Sequence, residues 1–169
     1  MKNRAGRAAL TGLLGALALV FSLLEGMLPP LPGMPPGARL GLSNIVTMYA
    51  AGSLGLPLAL GLCVLKAGFA LLTRGGVAGL MSICGGLAST ALMWFLLKKT
   101  GISLGLAAVF GALAHNLAQL VAAKFIIDAV LLFYLPPLLI FGVLTGLLTG
   151  TALKLLLPLL ERSAKFFKS

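Results

Sequence analysis

Long, nearly unbroken apolar stretches run along this chain, separated by short breaks that carry glycine, proline or charge. Several reach the roughly 20 residues a helix needs to cross hydrocarbon. The breaks divide the chain into six segments, at about 8–28, 39–53, 57–72, 77–97, 104–127 and 134–160. The second is short for a span. Pro136 and Pro137 fall at the start of the sixth, where a missing N–H is tolerated. A transmembrane β-strand would alternate apolar and polar residues over about ten positions, and these runs are continuous. The pattern predicts an all-α membrane protein, a compact bundle of about six transmembrane helices forming one domain over 1–169.

Composition agrees. The chain is 60% hydrophobic and 9% charged, against about 25% charged for a soluble domain, and its mean hydropathy is +1.12. The net charge of +10 does not point to nucleic acid, because the basic residues are few and sit mostly at segment ends. They read as a topology signal. Lys2, Arg4, Arg7, Lys98, Lys99, Arg162, Lys165 and Lys168 gather on one side, with Lys154 close by, and Arg39, Arg74 and Lys124 on the other. Both basic ends, about 1–7 and 161–169, are thus expected in the cytoplasm. The loop at about 29–38, with five prolines (Pro29, Pro30, Pro32, Pro35, Pro36), is expected outside. Tyr49 and Trp94 then fall near the inner boundary and Tyr134 near the outer one, as in an aromatic belt. Cys63 and Cys84 lie in apolar runs without CxxC spacing and are expected as small buried thiols.

Polar groups at membrane depth are costly and therefore informative. His115 and Gln119 are four apart, and Asn116 and Gln119 three apart, on one face of the fifth segment. They either glue helices together or contact a ligand, and we expect ligand contact. Lys66 lies mid-segment and needs a carboxylate, a carbonyl or a ligand anion. The chain offers only three acids, Glu25, Asp128 and Glu161. Toward the outer side Arg39, Lys66, Arg74 and Lys124 outnumber Glu25 and Asp128, an excess that suits an anionic ligand. Two stripes of small residues permit close helix packing: Ala8, Gly12 and Ala16, and Gly142, Gly146 and Gly150. Catalysis is not expected. There is one histidine, no carboxylate cluster to hold magnesium and a diphosphate, and no GxxxxGK[ST] run. No cofactor or metal is expected.

Two motifs in order, ARLGLSNIVTM at 38–48 and AHNLAQL at 114–120, resemble the Gx transporter family, whose members are often labelled heptaprenyl diphosphate synthase component I. That family is similar to the substrate-binding S components of energy-coupling factor (ECF) vitamin transporters. The likeness spans nearly the whole chain. It implies six helices with both termini inside a bacterial plasma membrane and a small-molecule substrate bound under the first loop. It also implies docking through Ala8, Gly12 and Ala16 on a transmembrane T subunit driven by ATPase subunits. Arg39, Asn44, His115, Asn116 and Gln119 occupy the motif positions; with Lys66 they are the expected ligand-binding residues. The leading expectation is thus the substrate-binding component of an ATP-driven uptake system, for a vitamin-like, aromatic or anionic ligand. The alternatives are a membrane accessory subunit of prenyl diphosphate or quinone synthesis, and a structural scaffold of a membrane complex.

Overall fold

A computed structural model describes residues 4–28, 41–126, 133 and 135–166. The helices are α1 (Arg4–Met27), α2 (Asn44–Ser53), α3 (Leu56–Arg74), α4 (Gly76–Phe95), α5 (Leu104–Ile126) and α6 (Leu135–Phe166). A π-helical turn, Leu96–Thr100, extends α4 until Gly101 closes it in the left-handed conformation. α1, α3, α4 with its extension, α5 and α6 are each long and apolar enough to cross a membrane. The chain is a multi-pass membrane protein. The proline loop, Arg39, Asp128 and Tyr134 lie outside the described residues.

Neighbouring contacts fix the direction of each helix. α1 and α3 run parallel, with Gly15 against Leu62 and Leu65 and Ser22 against Arg74. α4 returns antiparallel to α3, with Gly79 beside Leu71 and Thr90 beside Cys63. α5 and α6 alternate in turn. Gly85 faces His115 and Met93 faces Gly111 across α4 and α5, while Gly105, Val109 and Leu113 oppose Gly150, Gly146 and Gly142 across α5 and α6. The start of α1 and the end of α6 therefore lie at the same end of the bundle. The stripe on α6 is consumed by internal packing, whereas Ala8, Gly12 and Ala16 on α1 remain exposed.

The second segment departs most from the sequence pattern. α2 has 10 residues, about 15 Å at 1.5 Å per residue, half of a hydrocarbon core of about 30 Å. It starts deep in the bundle, where Asn44 meets Lys66, the eleventh residue of α3's 19. Gly41 to Ser43 precede it as a turn, with Asn44 N–H donating to the Gly41 carbonyl at 2.8 Å and Ile45 N–H to that of Leu42 at 3.1 Å. Non-helical backbone at this depth survives only where protein covers it. Here Gly41 and Ser43 are buried and Leu42 is half-buried, and Asn44 through Ala51, which follow, are all buried with α1, α3, α4 and α6 around them. Tyr49 is part of this core. Its hydroxyl donates to the Leu160 carbonyl at 3.4 Å, so the residue expected in an aromatic belt is instead an internal tie between α2 and α6. Cys63 and Cys84 are both free thiols. Cys63 is fully buried, 3.1 Å from Thr90 Oγ1.

Candidate functional site

Polar side chains from four helices meet around the start of α2. The centre is Asn44. Lys66 Nζ donates to its Oδ1 at 2.9 Å. Lysine has only donors, so this contact orients the amide: Oδ1 faces Lys66, and Nδ2 is left to face His115. Asn44 Nδ2 lies 3.2 Å from His115 Nδ1, which must then accept, leaving the imidazole proton on Nε2. One side chain thus joins α2, α3 and α5.

Glu25, near the end of α1, closes the other side. Its Oε1 accepts the backbone N–H of Gly41. Gly41 has φ +82°, and a Cβ there would stand 2.6 Å from Asn44 Nδ2. Only glycine can make this turn and let Asn44 lie beneath it. His115 in turn packs on Gly85, where an added Cβ would fall 2.7 Å from Cε1. Arg74 lies at the end of α3, within 3.4 Å of Ser22 Oγ.

Ser22, Glu25, Lys66, Arg74, His115 and Gln119 are among the residues that line the small cavity between these helices. Its volume is about 20 Å³. That is room for a water molecule, which needs upward of about 10–15 Å³. Gln119 is buried against this cavity, and its Oε1 has no hydrogen-bond partner.

Of the expected ligand contacts, Asn44, Lys66 and His115 bond to one another, and Gln119 shares their cavity. Asn116 points elsewhere. Its Nδ2 donates to the Leu138 carbonyl of α6 at 2.9 Å. Lys124 is exposed. The sequence marked Glu25 only as an acid beside the proline loop; its engagement with Gly41 depends on where the chain re-enters the bundle, which no spacing reveals. Ser22 had a weak signal, three residues before Glu25 and so on the same face of α1.

A wider feature lies along the same seam. Gly12, Gly15, Ala16 and Leu19 of α1 and Gly61 and Leu65 of α3 border an apolar groove of about 520 Å³. Leu65, Gly12 and Gly61 are exposed. The groove runs along the middle of α1 and the N-terminal half of α3. Arg7, Lys98, Lys99, Lys154 and Arg162, all exposed, lie at the end of the bundle where α1 begins, α4 ends and α6 ends.

A family model described as heptaprenyl diphosphate synthase component I matches residues 14–156. No curated protein and no solved structure matches the chain. The match corrects the expectation of a Gx transporter or ECF S component, and with it the vitamin-uptake function. In the structure the two motifs meet each other through Asn44 and His115. A T subunit and ATPase subunits entered as implications of that resemblance.

Proposed function

The chain belongs to the heptaprenyl diphosphate synthase component I family, and from that premise we propose that it is the membrane-embedded accessory subunit of prenyl diphosphate synthesis. Component I is the non-catalytic member of that synthase, so the chain is not itself an enzyme. Prenyl transfer needs carboxylates that hold a metal and a diphosphate. Among the described residues no three His, Cys, Asp or Glu side chains come together in that way.

The family match over 14–156 carries this proposal. Two features of the bundle support a division of labour. The basic end, with Arg7, Lys98, Lys99, Lys154 and Arg162, attracts a soluble catalytic subunit with an acidic face and anionic headgroups. The apolar groove between α1 and α3 begins on that same side and opens to lipid. A growing isoprenoid chain leaves water as it lengthens, and each buried CH2 contributes about 0.8 kcal/mol. The groove gives that chain a path into the bilayer while its diphosphate stays with the catalytic subunit. The polar cluster of Asn44, Lys66, His115, Gln119 and Glu25 holds α2 and its turn in place behind the groove. Asn116 stands apart from this cluster, bonded to the Leu138 carbonyl of α6.

Vesicle flotation tests the partnership. The catalytic prenyltransferase subunit of the same organism should float with vesicles of neutral lipid that contain the chain and stay at the bottom with empty vesicles. Lys98→Glu together with Lys99→Glu should reduce co-flotation by about tenfold, and 0.5 M salt should do much the same, because exposed charges are screened within a Debye length. Equal flotation with empty vesicles, or none with either, would remove the proposal.

A further inference from the structure

Between α4, α5 and α6 lies a second cleft of about 250 Å³, bordered by Leu92, Phe110, Leu117, Leu135 and Leu139 among others. Among the described residues that border it, every side chain is apolar except that of Asn116. Phe110, Leu117 and Leu139 are about half exposed, so the cleft faces the lipid. It is on the far side of α5 from His115 and the polar cavity.

Asn116 is 2% exposed. Its Nδ2 is committed to the Leu138 carbonyl at 2.9 Å, and that partner is an acceptor only, so the amide cannot be turned over. Its Oδ1 is buried and has no donor among the described residues. A buried acceptor left unsatisfied is uncommon and costly. An apolar pocket with one convergent polar group is the usual form of a small-molecule site. Gly142 sharpens the point. An added Cβ there would come within 3.2 Å of Asn116 Nδ2 and 2.8 Å of Leu113, so α6 holds the amide at close range and in one orientation.

We propose that this cleft binds a membrane-dissolved molecule with a hydrocarbon tail and a hydroxyl group that donates to Asn116 Oδ1. The site asks for a donor. Ethers, esters and ketones of the same shape carry only acceptors and gain nothing from Oδ1. Charged headgroups are excluded by the apolar walls. Two sources share the required chemistry, an aliphatic isoprenoid alcohol and a hydroquinone with a short tail. The inference stands on the cleft and on Asn116 alone and is independent of the accessory-subunit proposal.

The test compares hydroxyl compounds with their methyl ethers. Farnesol, farnesyl methyl ether, decylhydroquinone and its dimethyl ether are titrated into the full chain in detergent micelles, with occupancy read by native mass spectrometry. At least one hydroxyl compound should bind about fivefold to tenfold tighter than its ether, the size of one hydrogen bond. Whichever does so more strongly identifies the headgroup as alcohol or phenol. Asn116→Leu should abolish the preference while the ethers still bind. Equal binding of hydroxyl and ether forms, no binding by any of the four, or a preference that survives Asn116→Leu would each overturn the site. The wild-type comparison decides the matter even if the variant fails to fold.

Discussion

Gly146→Leu should yield no stable bundle, and even Gly146→Ala should be strongly destabilised. The added Cβ would stand 2.4 Å from Val109 Cα, 3.0 Å from Val109 N and 3.1 Å from the Ala108 carbonyl oxygen. These are backbone atoms, so no rotamer change relieves the clash. α5 and α6 must move apart instead, and theirs is the most extensive helix contact in the molecule. Without a hydrophobic force between helices in lipid, close packing is what holds them together. Overpacking a well-filled site costs about 1–3 kcal/mol and sometimes more; contact with backbone places the alanine variant at the upper end. Thermal unfolding in micelles, followed by Trp94 fluorescence, measures the effect. An alanine variant with an unchanged midpoint would mean that the helices are not packed as described.

Asn44→Leu should be the most damaging change in the polar cluster. It takes the acceptor from Lys66 Nζ and the donor from His115 Nδ1 at once. Both side chains are buried. Leaving a buried group without its hydrogen-bond partner costs about 1–3 kcal/mol, and more when that group is charged. Replacing both partners with apolar groups is far milder. Lys66→Met added to Asn44→Leu should therefore recover a large part of the loss. The same unfolding assay decides between outcomes. If Asn44→Leu unfolds like the wild type, or if the double variant is worse than the single, the cluster does not anchor α2.

The bundle was legible because continuous apolar runs have few physical solutions, and bilayer thickness sets their length. α1, α3, α4, α5 and α6 follow the apolar segments closely. The beginning of α2 was not legible. Gly41, Leu42 and Ser43 have the composition of a membrane helix, yet Gly41 turns to positive φ to meet Glu25, and the helix begins only at Asn44. That choice depends on a neighbour sixteen residues away.

The cluster on α5 was half legible. At 100° per residue, His115 and Gln119 are about 40° apart and line one cavity. His115 and Asn116 are about 100° apart and reach opposite neighbours, the cavity for one and α6 for the other. A shared face on a helical wheel is thus too coarse to define a shared site. The small-residue stripes show the same limit. Gly142, Gly146 and Gly150 meet α5 at backbone distance, while Gly12 has nothing within 4 Å of an added Cβ. Spacing alone could not tell the buried stripe from the open one.

Gly12 and Gly61 both border the α1–α3 groove, and an added Cβ at either meets nothing within 4 Å. Gly12→Leu with Gly61→Leu should fill the groove without disturbing the fold, leaving the unfolding midpoint within a few degrees of wild type. The catalytic prenyltransferase subunit is supplied with labelled isopentenyl diphosphate and an allylic primer, in the presence of vesicles that carry the chain, vesicles that carry the filled-groove variant, or empty vesicles. Product lengths are read by mass spectrometry. Full-length heptaprenyl diphosphate should accumulate with the wild-type chain, and shorter products should predominate with the other two. The same product lengths at the same rate in all three would contradict the accessory role.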